Sequence, residues 1–286
     1  MAREGVGIVY GILTACVVAS IAVLVKLSAE VPSEVLVFCR NFIGFLFFLP
    51  IGLLKKEPIN FTLCKRNFLR AFMGLLALYC YFFALKKLEL VDAILLLNTI
   101  PLFVPFVVWI WLKKRIAMPR VLALLVGFAG VIFVLNPDRG LFQLSSLVAL
   151  GTGLFGAIAF VGVRELTKVQ DSLSIVIYYF IISTPISFFP LLFAWQKIQD
   201  NRVWWYVLGI GLLGILYQLF LTESYRHLAA SKASSMLYLA VILGGFFDWL
   251  FWGRIPDLFD VIGAILVIAA GIFILLHQQP GTHLKR

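Results

Sequence analysis

Ala84-Leu85-Lys86-Lys87-Leu88 returns 140 residues later as Ser224-Tyr225-Arg226-His227-Leu228. In both places a basic stretch closes one apolar run just before the next begins. The same shift lays Ala93 on Ala233, Gly74 on Gly214 and Gly11 on Gly151. Near the ends of the two halves, Gly130-Val131-Ile132-Phe133 is similar to Gly271-Ile272-Phe273-Ile274 with one more residue of offset. Each identity alone is weak, because Gly, Ala and Leu are common in apolar runs. One offset serving several runs is a stronger sign of an internal repeat.

The runs themselves follow from composition. Of 286 residues, 62% are hydrophobic and 13% charged, against roughly 45–50% and 25% in soluble domains. A soluble fold cannot hide that much apolar surface and still present a wettable exterior. A soluble enzyme, a disordered chain and a secreted disulfide scaffold are thereby excluded, and the expected class is an all-α membrane protein. A helix needs about 20 apolar residues to cross the hydrocarbon. Charged, Pro and Asn punctuation gives ten candidate spans: 5–26, 34–54, 69–86, 91–112, 120–136, 144–163, 173–195, 204–223, 233–252 and 258–277. The apolar run at the N-terminus is too long for the core of a cleavable signal peptide. Cys16, Cys39, Cys64 and Cys80 show no paired spacing and read as small hydrophobes rather than disulfides or metal ligands.

The net charge of +10 has an explanation other than nucleic acid. With the N-terminus in the cytoplasm, sixteen Lys and Arg fall in inside segments and seven in outside ones, and Arg40 is left within a span. That asymmetry votes for both termini inside. Five spans per half, 1–140 and 141–286, make the second half upside down relative to the first. Inverted repeats are a transporter architecture, because two similar, opposed halves can exchange conformations around a site at their interface.

At this level the chain resembles the drug/metabolite transporter superfamily, in its EamA-type ten-helix branch. The resemblance rests on Arg40-Asn41, Arg70, Tyr81-Phe82-Phe83 with the following Ala84-to-Leu88 stretch, Val91-Asp92-Ala93 and Asn98-Thr99-Ile100-Pro101-Leu102. It implies a central cavity lined by spans one to four and six to nine. It also implies that spans five and ten lie at the periphery, where they could support a homodimer. The family commonly has an acidic residue after span four, where this chain has Lys113-Lys114-Arg115.

A charge inside a span is costly and points to function. Arg40 and Asp248 both fall in the outer half of the membrane, where they could pair across the cavity or receive the carboxylate and amine of a zwitterion. A structural salt bridge, or snorkelling of Arg40, is the plainer reading. Span four carries Asn98, Pro101, Pro105 and Trp109 on one helical face. The shift of 140 maps Asn98 to Tyr238 and Trp109 to Trp249, which predicts a polar pocket closed by aromatic plugs. Interfacial belting is the alternative for the tryptophans. Gln218, deep in span eight beside Tyr217, is the next candidate. Lower in rank are Tyr79 with Tyr81, Tyr178 with Tyr179, Thr14 and Ser20, whose hydroxyls are commonly satisfied by a neighbouring helix or the preceding turn. Glu223 is a candidate for proton coupling. The Gly7/Gly11 and Gly151/Gly153/Gly156 sets permit close helix approach.

No nucleotide loop, metal cluster or catalytic triad is visible, so neither an enzyme nor a cofactor is expected. His227, His277 and His283 are peripheral. The expected activity is secondary transport of a small metabolite across a bacterial inner (cytoplasmic) membrane, with a zwitterionic amino acid or derivative as substrate. Uptake of S-adenosylmethionine or a similar nucleoside metabolite is one alternative. A lipid or lipid-linked head-group translocase, with a lateral opening, is the alternative of another class.

Overall fold

The computed structural model describes residues 2–54, 61–113, 118–135, 144–196, 198, 200–255 and 257–276. They form helices only. In the first half these are α1 (Ala2–Leu27), α2 (Ser33–Leu54), α3 (Phe61–Lys87), α4 (Leu90–Leu97), α5 (Ile100–Leu112) and α6 (Met118–Leu135). In the second they are α7 (Leu144–Leu166), α8 (Ser172–Ala194), α9 (Asn201–His227), α10 (Ala230–Ser235), α11 (Tyr238–Trp252) and α12 (Leu258–Leu276). Eight stretches are long and apolar enough to cross a membrane, with α4–α5 and α10–α11 each counting as one. Of the ten expected spans, the fifth and tenth correspond to α6 and α12. Their apolar stretches within the described residues are shorter, Val121–Gly130 and Val261–Ala270.

The outer surface is as apolar as the interior. Leu54, Phe189, Phe193 and Trp205 are all exposed, an arrangement that water would punish and lipid tolerates. The chain is thus a multi-pass membrane protein. Lipid gives no hydrophobic drive for helix association, so close packing must supply it. A Cβ at Gly11 would lie 2.6 Å from Met236 Cγ, and one at Gly7 2.7 Å from Leu228 Cγ. A side chain at Gly7 would push α1 off the end of α9, and one at Gly11 off the turn where α10 passes into α11.

Two spans are broken rather than continuous. Between α4 and α5, the Thr99 amide donates to Leu96 O at 3.1 Å and the Leu102 amide to Thr99 O at 2.9 Å, a tightened turn. The Thr99 hydroxyl takes the Leu96 carbonyl at 2.7 Å, and Pro101, without an amide hydrogen, opens α5. Between α10 and α11 the break is built without proline. The Leu237 amide reaches Ser234 O at 3.1 Å and the Ala240 amide reaches Leu237 O at 2.8 Å. The Ser234 and Ser235 hydroxyls bond the Ser231 and Lys232 carbonyls at 3.1 and 3.0 Å.

The third span departs from expectation. It begins well before residue 69: α3 starts at Phe61, with its apolar stretch running from Leu63. Lys65, Arg66 and Arg70 therefore all lie within the helix, with Arg70 about two turns in from Leu63 rather than at the opening of the span. The helix runs through Arg70 because its polar groups find partners within the protein. Asn67, one turn earlier, donates to Leu63 O and to Gln170 Oε1, both at 2.9 Å. Lys55, Lys56, Lys114, Arg115, Arg139, Lys197, Lys285 and Arg286 lie outside the described residues, as do His277 and His283.

Candidate functional site

Arg70, Gly74, Ala77 and Tyr81 recur along α3 at helical spacing, so one face of the helix carries them all. Thr152, Gly156, Ala159 and Val163 do the same on α7, which packs against α3. The small residues on both helices leave room between them. A cavity of about 60 Å³ lies there, completed by Arg40 of α2, Tyr179 of α8, and Tyr217 and Gln218 of α9. Leu97 and Ile100, either side of the α4–α5 break, form part of its wall.

Two guanidinium groups dominate its electrostatics. Arg40 is 1% exposed and Arg70 3%. Arg70 Nη2 donates to Gln218 Oε1 at 2.7 Å, and its guanidinium carbon lies 4.4 Å from the centre of the Tyr179 ring. Arg40 Nη1 donates to Asn41 Oδ1 at 3.2 Å and to the Tyr179 hydroxyl at 3.4 Å, with the Tyr217 ring 5.8 Å away. Tyr179 thus takes one cation on its face and the other on its hydroxyl. Among the described residues neither arginine forms an ion pair, and no Asp or Glu lines the cavity. Arg40 Nε, Arg70 Nε and Nη1, and the Tyr81 hydroxyl are buried without a hydrogen-bond partner. The Thr152 hydroxyl in the same wall is a fifth. Buried donors are normally satisfied, so five orphans around one void mark a place adapted to something other than stability.

Arg40 reaches this position because α9 has no side chain in its way. A Cβ on Gly214 would stand 2.7 Å from Arg40 Nε and 2.8 Å from Cγ. Gly214→Ala should displace the guanidinium and reduce transport about tenfold, the cost of a misplaced charged contact of ~1.4 kcal/mol. Its melting temperature should move much less. Wild-type transport rates in Gly214→Ala would remove Arg40's placement from the account.

Several expectations are corrected by the geometry. Arg40 and Asp248 do not pair. Asp248 Oδ2 instead accepts the Val91 amide at the start of α4 at 3.2 Å, and its other oxygen is 3.9 Å from Lys26 Nζ. Lys26 and Arg254 both also reach Glu89, each at 3.2 Å, so Asp248 belongs to a charged cluster joining α1, α4 and α11. Asn98 and Tyr238 are buried at the two helix breaks, outside the cavity wall. Asn98 Nδ2 donates to Ile94 O at 2.8 Å, tying off the end of α4. Trp109 and Trp249 are 50% and 55% exposed; they stand on the surface of the bundle and plug nothing. Tyr79 bonds Ser187 O across to α8 at 3.5 Å, and Tyr81, two residues on, takes the cavity position. Glu223 sits 3.9 Å from Arg226 and 3.4 Å from His227, near the end of α9. Of the expected residues the cavity brings together Arg40 and Gln218 with Tyr217 and the lower-ranked Tyr81 and Tyr179. It adds Arg70 and Thr152 as lining residues, and the small-residue face shared by Arg70, Gly74 and Ala77 was the available signal for the first of these.

The EamA-like transporter family model matches the chain twice, over residues 5–136 and 143–276. A pseudopaline exporter of Pseudomonas aeruginosa is 29% identical over 93% of this chain and 94% of its own length. A riboflavin transporter of Vibrio cholerae is 27% identical over 96% and 93%. Human solute carrier family 35 member G1 is 23% identical over 94% of this chain and 78% of its own. One solved crystal structure superposes with a TM-score of 0.68 at 18% identity, over 94% of this chain and 96% of the other, which shows the shared fold.

Proposed function

Because the chain belongs to the EamA-like transporter family, and so is a membrane transporter, we propose that it is a secondary transporter working by alternating access. Its cargo is a small metabolite of the amino-acid type, bound in the Arg40/Arg70 cavity and carried across the cytoplasmic membrane. Its ten spans are two inverted five-helix repeats, 1–140 and 141–286, with both termini in the cytoplasm.

The carrying observation is the cavity: helices of both halves wall it, and it holds polar groups that packing does not require. The helix pairings support the repeat. Under the shift of 140 residues the α1–α9 pairing maps onto α7–α3, while α2–α8 and α6–α12 map onto themselves. The two helix breaks recur within two residues of the same shift. Two buried arginines speak against a cation such as S-adenosylmethionine as cargo, since like charges would meet in a poorly screened site.

Thr152, 1% exposed in the cavity wall, provides a test that needs no known cargo. In a background with Cys16, Cys39, Cys64 and Cys80 replaced by serine, Thr152→Cys should react with a membrane-impermeant maleimide in right-side-out and in inside-out vesicles alike. Labelling from one side only, or from neither, would sink alternating access through this cavity.

A further inference from the structure

We propose that the cargo is an organic dianion, with one acidic group held by Arg40 and the other by Arg70. This rests on the transport reading above and names the chemistry of its site.

A buried cation ordinarily has a carboxylate beside it, because the protein interior solvates charge poorly. Here two cations are buried around one void, with only neutral partners: an asparagine, a glutamine and two tyrosine rings. Aromatic faces and amide oxygens soften such a charge without cancelling it. A ligand with two negative charges makes the occupied cavity neutral, and a monoanion leaves one guanidinium uncompensated. The donors needed are already in place. Arg70 keeps Nε and Nη1 free, Arg40 keeps Nε, and the Tyr81 hydroxyl is unpaired in the same wall. Arginine's planar fork suits a carboxylate or a phosphate, which it can grip through two parallel hydrogen bonds.

The two sides of the cavity play different parts. Both arginines come from α2 and α3 of the first half, and Tyr179, Tyr217 and Gln218 come from α8 and α9 of the second. An anion seated on the guanidiniums is therefore also within the embrace of the opposite half. Neutralising the pair removes the charge that would otherwise have to move through the bundle unpaired.

The test is a melting series on the purified full-length protein with ligands matched in size and differing in charge. Succinate, succinamate and succinamide carry two, one and no negative charges; riboflavin 5′-phosphate and riboflavin form a second pair that asks for phosphate. Succinate should stabilise at concentrations at least tenfold below those at which succinamate acts, and succinamide should have no effect. Preference for riboflavin 5′-phosphate over riboflavin without an effect of succinate would overturn the assignment of one acidic group to each arginine, because both charges then sit on a single phosphate. Arg40→Gln and Arg70→Gln should each remove the preference for two charges, and Arg40→Lys and Arg70→Lys should keep part of it. If a Gln variant does not fold, the Lys variant at that position carries the comparison. Equal stabilisation by charged and uncharged ligands overturns the proposal, as does no stabilisation by either dianion, or an unchanged preference in the variants. Two-sided labelling of Thr152→Cys alongside any of these would leave transport standing with the dianion lost. One-sided labelling would remove transport whatever the ligands do.

Discussion

Arg40→Met yields a protein that melts higher than the wild type without ligand and no longer transports. A buried guanidinium with no counter-ion has lost its water and recovered little in return, from hydrogen bonds at 3.2 and 3.4 Å and one ring. Replacing buried ionic groups by apolar ones of similar volume commonly stabilises by about 1–4 kcal/mol. At roughly 2–4 °C per kcal/mol for chains of this order, a rise of about 2–16 °C is expected in detergent melts. Transport should fall at least about thirtyfold, since a lost charge contact to a buried anion costs ~2 kcal/mol or more. Arg70→Met should show the same division with a smaller gain, because Gln218 loses its 2.7 Å partner. A melting temperature well below wild type would make Arg40 a structural strut and remove it from the site.

Asp248→Ala has the opposite sign. Asp248 is 1% exposed, and its carboxylate receives an amide at the start of α4, where no water can. Truncation orphans that amide and takes one of two anions from Lys26, which keeps Glu89 at 3.2 Å. A cost of about 2–4 kcal/mol is expected, seen as a drop in melting temperature of roughly 4–16 °C. Asp248→Asn keeps an acceptor oxygen and should lose about half as much. A melting curve unmoved by Asp248→Ala would show that the cluster at this end of the bundle holds nothing together.

How much of this could be read in advance depended on what each residue's pattern encodes. The apolar runs declared the places of eight spanning stretches, though not the start of the third nor the shortness of α6 and α12, and the shared offset of 140 residues set Asn98 against Tyr238. They stand at the two helix breaks, but the match says nothing about what the places are for. Trp109 and Trp249 are both exposed; a helix that is apolar all round does not advertise which face looks inward. Arg70 was read at the opening of span three because a charge was taken as the end of a span, whereas α3 begins at Phe61. That rule fails wherever the protein itself supplies partners, here Gln218 and Tyr179 from helices more than a hundred residues away. Arg40 and Gln218 could be singled out because a polar group within a span costs free energy wherever it points. Their separation from Asp248 is a fact of three-dimensional packing, which spacing along one chain does not contain.

The unpaired guanidiniums also lie within an electric field. A membrane potential of 100 mV acts on one charge carried across the full thickness with about 2.3 kcal/mol, and on two with twice that. Any conformational change that shifts Arg40 and Arg70 along the membrane normal draws on a share of that energy. A potential that is negative inside therefore favours whichever state of the empty protein holds the two arginines nearer the cytoplasm. Were a dianion to neutralise them, the voltage would have little left to act on, and the empty and the loaded protein would answer to different forces.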